Sequence, residues 1–294
     1  MLIGTNHLYR PTAFEQIGGY QDCIIEDHLT SIVLYSATNP GTGNSWRGIY
    51  TPDILAVGEG PATYSDYFSQ QKRWAYGVWE IVRQYSPRVL PQMRTRQQRW
   101  SFVALQLHYP ITALAWLFGM AVGAIYLVGG VSVTRLPLDM WAALLGTNLV
   151  LGFALAQYLR RFNLAAHERR SWGLSGMLLD TVTFPVYIAA ALAQLAGRPL
   201  TYVVTAKGSA ATGDTWRTFR PHMVWLAVSG GSIAAGLLLG HTHGALVFWS
   251  AVTAAICLVP MVHVAVGRLA ALRTDAAAPA VVLEPALGRE PAFS

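Results

Sequence analysis

Apolar residues fall along this chain in two regimes. Before about residue 85 they alternate with polar positions over short elements. From residue 101 onward they gather in long, nearly uninterrupted runs. Residues 101–133 carry no formal charge, residues 140–159 and 223–239 repeat that pattern, and residues 245–269 do so up to Arg268. Each run reaches the roughly 17–25 residues that a helix uses to cross the hydrocarbon core of a bilayer. Arg135, Pro137 and Asp139 mark a short loop between the first two runs, and Arg160-Arg161 stops the second. The last two are joined by the tight loop Gly240-His241-Thr242-His243-Gly244, whose two histidines are too few for a metal site. Residues 274–294, rich in Ala, Pro and charge, are expected to be disordered.

Residues 174–196 form a fifth apolar run that reads two ways. Arg160, Arg161, Arg169 and Arg170 precede it, and Arg198, Lys207, Arg217 and Arg220 follow it. Basic flanks on both sides assign both to the cytoplasm. The run also holds Asp180, Thr181, Thr183 and Pro185. The pattern predicts an interfacial or re-entrant helix that returns to its starting side, giving about four spans. The alternative is a fifth span with Asp180 inside the bundle.

Residues 1–85 read as water-facing. Residues 2–9 and 48–52 have strand character. Pro11 can open a short helix that stops at Gly18-Gly19. Residues 27–37 form a second helix, the turn formers from Asn39 to Ser45 a loop, and the stretch from Pro61–Ser65 to Trp79 a third helix. The region lacks a complete core and resembles the end of an α/β domain.

Composition supports the membrane assignment. Of 294 residues, 53% are hydrophobic and 12% charged, against about a quarter charged in soluble domains. The net charge is +6 without a nucleic-acid motif, so anionic lipid and anionic substrates are the expected partners. Arg83, Arg88, Arg94, Arg96 and Arg99 make a basic strip ahead of the first span. Cys23 and Cys257 lie far apart and suggest neither disulfide nor metal. The first residues do not read as a signal peptide.

Three stretches carry candidate chemistry. Glu26-Asp27 is an acidic pair at a helix start. Gln70, Arg73 and Trp74 share one helix face, combining an amide, a guanidinium fork suited to phosphate and an indole plane suited to a sugar ring. Tyr202-Val203-Val204-Thr205-Ala206-Lys207-Gly208 sets a lysine and a threonine beside glycine, a weak phosphate-binding pattern on its own.

In this order the stretches resemble the C-terminal half of a processive family 2 glycosyltransferase of the cellulose synthase type. Gly4-Thr5-Asn6 resembles the family's acceptor-side strand end. Glu26-Asp27 is similar to its Thr-Glu-Asp motif, with Ile25 for Thr. Gln70, Arg73 and Trp74 match Gln-x-x-Arg-Trp, which hyaluronan and chitin synthases share. Tyr202, Val204, Thr205, Lys207 and Gly208 match the gating loop Phe-x-Val-Thr-x-Lys-Gly, with Tyr for Phe. The family's donor-binding half has no counterpart, and no Asp-x-Asp occurs. The expectation is a truncated chain or one piece of a split enzyme. No room remains after Arg273 for a cyclic-di-GMP-binding domain.

The resemblance implies a fold of an α-helical membrane bundle attached to the C-terminal part of an α/β GT-A-type domain. Residues 1–85 would end the cytoplasmic transferase domain, and 86–273 would form the membrane domain, with interfacial helix 174–196 and a gating-type loop at 200–210. It implies a multi-pass plasma-membrane enzyme making a β-glucan from a UDP-sugar such as UDP-glucose and exporting it. Asp27, or alternatively Glu26, would be the general base. Arg73 and Lys207 would face the departing UDP, and Trp74 the acceptor sugar. Gly4, Thr5 and Gln70 would bind substrate, and Tyr109, Trp116 and Tyr126 could line an export path. A Mg²⁺ ion would be held mainly by residues outside this chain. Partners would be the UDP-sugar, the growing polysaccharide, lipid and a chain carrying the donor half, with no nucleic acid. The competing classes are a non-processive transferase to a lipid acceptor and a non-catalytic membrane scaffold or transport subunit.

Overall fold

The computed structural model describes residues 7–49, 58–132, 135–162, 164, 168–201, 205–206 and 208–277, with only the backbone of residues 209 and 272–277. The described residues are helical or irregular. Helix α1, Pro11–Gln16, opens on its proline, and the chain turns at Gly18 and Gly19, both at positive φ. Helix α2, Glu26–Ser36, starts one residue before the expected 27–37 and puts Glu26 and Asp27 in its first turn. Helix α3, Tyr64–Glu80, is capped by Thr63, whose hydroxyl oxygen accepts from the Asp66 N–H, and it continues as a π-helical turn, Ile81–Tyr85. Helix α4, Ser86–Val89, leads into helix α5, Arg96–Gln106.

Two expectations for the water-facing region are corrected. Residues 7–9 and 48–49 form no strand; the remainder of both proposed strands, and Gly4 and Thr5, lie outside the described residues. The described residues contain no β-sheet, only an isolated bridge between Thr38 and Ser45, so they do not display an α/β domain. The Asn39–Ser45 loop is the turn that closes this bridge, with the Asn39 N–H donating to Asn44 O at 2.7 Å.

The described residues hold five helices long and apolar enough to cross a bilayer, corresponding to the four expected spans and the fifth apolar run at 174–196. They are α6, His108–Gly129; α7, Leu138–Arg160; α8, Leu174–Leu195; α9, Arg220–Leu239; and α10, Gly244–Ala277. The charge-free run 101–133 divides at Leu107 into α5 and α6. Pro110 has no N–H to offer the carbonyl four residues back, so the ladder is interrupted there. Helix α10 runs through residues 274–277, past the expected start of a disordered tail, and residues 278–294 lie outside the described residues.

Helices α6, α9 and α10 form the bundle. Gly119 and Gly123, four apart on α6, face Trp249 and Ser250 of α10; a Cβ at Gly119 would come within 2.6 Å of Trp249 Nε1. Small residues at this spacing let two helix backbones approach closely. Helix α7 buries none of its residues and touches α10 through Trp141 against Phe248.

Helix α8 differs from the other four. It runs alongside α3, with Val186 against Phe68, Tyr187 hydrogen-bonded to Gln71, and Gln194 receiving two bonds from Arg83. The partners climb together in number, so α3 and α8 are parallel neighbours. Its opposite side meets the bundle through Trp116 against Phe184. Thus α8 lies between the polar, charged α3 and the membrane bundle.

Candidate functional site

The acidic pair is positioned by the residues just before it. Ile24 and Ile25 press onto α3 at Gly77, where a Cβ would meet Ile25 Cγ1 at 2.6 Å and Ile24 Cγ2 at 2.8 Å. Ile25 and Leu29 then join Val78 and Ile81 in a buried apolar cluster. A residue larger than glycine cannot occupy this seat without moving the isoleucines. Gln70, Arg73, Trp74 and Gly77 stand three, four and seven apart, on one stripe of α3. Ile24 and Ile25, immediately before the pair, therefore meet this stripe at its Gly77 end. Trp74 keeps 38% of its surface exposed, which an aromatic platform requires.

Asp27 is half-buried and its Oδ1 accepts from the His28 N–H at 2.7 Å; Glu26 is exposed. Tyr9 lies close to both. Burial, with the negative charges of Tyr20, Asp27 and Glu26 around it, pushes its phenol up to about 12. Tyr9 stacks on Phe14 and meets Tyr20 and His7 edge-on, so an aromatic cluster borders the carboxylates.

His28 anchors the other side of α2. It is buried, and its Nε2 sits 3.3 Å from Gln106 Nε2, while Gln106 Oε1 accepts from the Ser86 hydroxyl at 2.9 Å. The amide nitrogen only donates, so His28 Nε2 is the acceptor and Nδ1 carries the proton. Protonating the ring would set two donors against each other. Burial lowers the His28 pKa to about 4, against an opposing pull from Asp27. The unfolded chain binds this proton below about pH 6.5, the folded chain only below about 4. Stability is therefore complete above pH 6.5 and falls as pH drops towards 4, by a few kcal/mol in order of magnitude. Thermal unfolding of the chain in detergent should show this loss between pH 7 and 5, and His28→Gln should flatten it.

The start of α3 is held from a distance. Both carboxylate oxygens of Asp214 accept from it, Oδ1 from the Ser65 N–H at 2.7 Å and Oδ2 from the Tyr64 N–H at 3.3 Å. In return Asp66 Oδ2 accepts from the Thr212 N–H at 2.8 Å and from the Thr63 hydroxyl at 2.9 Å. Arg268 also donates to the Asp214 backbone oxygen. The carboxylates supply acceptors to amides that a helix start leaves unpaired. This clamp ties residues 212–214 to the helix of the Gln70–Trp74 stripe.

Of the proposed phosphate-binding loop, Thr205 and Gly208 are described, with Gly208 at φ +55 near Glu59. Tyr202, Val204 and Lys207 lie outside the described residues, as do Gly4 and Thr5. The structure thus packs Ile24 and Ile25, the residues before Glu26-Asp27, against Gly77, one turn beyond Trp74 on α3. Sequence reasoning missed Gly77, Asp66 and Asp214, and the polar contact of Tyr187 with Gln71 and Asp180. A lone glycine inside an otherwise helical pattern was the available signal for Gly77, and Thr63-x-x-Asp66 for the helix start. Nothing local marks Asp214 or Tyr187. Tyr109 and Trp116 pack into the core around Tyr187, and the Tyr126 hydroxyl accepts from the His243 N–H at 3.0 Å. No group of three or more His, Cys, Asp or Glu able to hold a metal occurs among the described residues.

These features describe a helical membrane protein in which the residues before an acidic pair pack on the helix that carries Gln70, Arg73 and Trp74. Comparison with curated proteins finds similarity to a probable glucomannan 4-beta-mannosyltransferase 7 from Oryza sativa subsp. japonica, 34% identical over 87 residues. The match covers 30% of this chain and 14% of the relative, so the chain spans a small part of the length of that relative. It relates this chain to glycosyltransferases. No protein-family model and no solved structure matches.

Proposed function

We propose that this chain is the acceptor-side and membrane portion of a processive polysaccharide glycosyltransferase that uses a nucleotide sugar, of the β-glucan type, and passes its product through the bundle. The observation that supports the reading is the seating of Ile24 and Ile25, which lead into Glu26-Asp27, at Gly77 on the helix that carries Gln70, Arg73 and Trp74. In the reaction, the Asp27 carboxylate takes the proton of the acceptor hydroxyl as its oxygen bonds to the anomeric carbon. The bond from that carbon to the nucleotide breaks, and the nucleotide leaves as a diphosphate. Arg73, with Thr205, Lys207 and Gly208, faces the charge that develops there. Trp74 stacks on the terminal acceptor sugar, and Gln70 offers it an amide. The order of the three motifs and the similarity to a plant transferase support this assignment. The test is transfer from a panel of nucleotide sugars, including UDP-glucose and GDP-mannose, to polymer by membranes carrying this chain with its donor-binding half. A Gln70/Arg73/Trp74 triple alanine chain that still elongates polymer at the wild-type rate sinks the reading.

In this reading α8 lies in the cytoplasmic interface. Its companion α3 carries Lys72, Arg73 and Glu80, with Arg83 in the following turn, and a crossing α8 would draw those charges towards hydrocarbon, where each costs about 2.5–3.5 kcal/mol or more. In a background with Cys23→Ser and Cys257→Ala, single cysteines placed at Ser175 and Ala210 should label from the same, cytoplasmic, side. Labelling from opposite sides would make α8 a span.

A further inference from the structure

Between the end of α3 and the start of α6 the chain folds back on itself and leaves a groove of about 600 Å³. Its walls are apolar, from Val82, Leu90, Pro91 and Val103, and Arg96 and Trp100 stand at its rim. Arg99 is occupied in building it: its Nη2 donates to Pro91 O at 2.9 Å and to Met93 O at 2.7 Å, and its Nε to Met93 O at 3.0 Å. Arg96 is different. It is exposed and has no hydrogen bond or ion pair with the described residues. No acidic residue occurs anywhere from Ile81 to Leu138, while Arg83, Arg88, Arg94, Arg96 and Arg99 crowd into that stretch. An uncompensated positive rim above an apolar slot calls for a ligand with a negative head and a hydrocarbon tail.

The position of the groove narrows the ligand further. Helix α5 leads through Leu107 straight into α6, whose apolar length suits a span. Trp100 precedes His108 by eight residues, about 12 Å of helical rise, and is 69% exposed. An exposed indole at that distance from a span suits the bilayer interface, where amphipathic rings settle. We propose that this groove is a binding site for an anionic phospholipid, with one acyl chain along Val82, Leu90 and Val103 and the phosphate on Arg96.

The proposal rests on the membrane position of the chain and on no assignment of its chemistry. The test uses the full chain in nanodiscs of phosphatidylcholine mixed with phosphatidylglycerol, followed by native mass spectrometry of the lipid retained after detergent extraction. The wild type should keep phosphatidylglycerol in preference to phosphatidylcholine. Arg96→Gln should lower that retention roughly fivefold, the scale for one cation near an anionic surface. Val82→Trp fills the slot without changing charge and should abolish retention of both lipids. Arg88→Gln removes an exposed arginine that does not line the groove, and should change little. Equal retention of the two lipids by the wild type overturns the proposal. So does an equal loss from Arg88→Gln and Arg96→Gln, which would mark a diffuse basic surface. If Val82→Trp fails to fold, the comparison of Arg88 with Arg96 still decides.

Discussion

Asp27→Asn, in the proposed transferase assembled with a donor-binding half, is expected to lower turnover roughly 10²–10⁴-fold, the usual worth of a general base. The substitution keeps the shape and an acceptor for the His28 N–H, and removes the carboxylate's charge and its ability to take a proton. Nucleotide affinity should stay close to that of the wild type, because Asp27 is assigned to the acceptor side. Arg73→Ala should do the reverse and weaken nucleotide binding, since a guanidinium to diphosphate contact is charge-assisted. Glu26 is the internal control: it is exposed and one residue away, about 100° around the helix. Turnover and nucleotide affinity measured on all three variants separate the roles. Near wild-type turnover in Asp27→Asn with loss in Glu26→Gln would transfer the role to Glu26. If neither change matters, the pair serves only to complement the positive end of α2.

Gly77→Val should be nearly as damaging, and for a reason that involves no chemistry at residue 77. A Cβ there already falls within 2.6 Å of Ile25 and 2.8 Å of Ile24, and valine adds two methyl groups. Overpacking of this kind costs about 1–3 kcal/mol of stability. The larger effect falls on rate, because the displaced residues lead directly into Glu26-Asp27. A misplacement of about 1 Å in a catalytic group can cost on the order of 10²-fold. Gly77→Ala makes the cleaner experiment. Alanine favours the helix by roughly 1 kcal/mol, so α3 gains propensity while the acidic pair is pushed away. Circular dichroism with turnover should therefore show retained helix and lost activity. Unchanged turnover in Gly77→Ala would mean that the seat at Ile24 and Ile25 does not set the position of the pair.

Features fixed by neighbouring residues were legible in the sequence. Pro11 opens α1, and the apolar runs near 140–159, 223–239 and 245–269 are helices. The acidic pair at the start of α2 and the shared face of Gln70, Arg73 and Trp74 follow from helical period alone. The break at Leu107 was missed because absence of charge masks a change of direction; Pro110 was its single local sign. Hydropathy also gave α8 no partner, since Tyr187 and Gln71 meet across 116 positions of sequence. Asp214 and Ser65, 149 positions apart, are invisible to pattern for the same reason. The expected strands lacked a sheet to join among the described residues, and strand character there was a preference without a partner.

The clamp at the start of α3 has a kinetic consequence when taken with the far end of α8. Gln194 is tied to Arg83 and Thr212 to Asp66, so residues 195–211 begin and end on the same helical rod. From Asp66 to Arg83 that rod rises about 26 Å, whereas the eighteen steps from Gln194 to Thr212 reach about 60 Å when extended. The connection has slack but cannot drift away from the rod. It behaves as a short tether, for which effective concentrations lie in the millimolar range. Under the proposed function, a nucleotide gripped weakly by Thr205 would be returned repeatedly to the Gln70–Trp74 stripe, with no need for tight binding at either place.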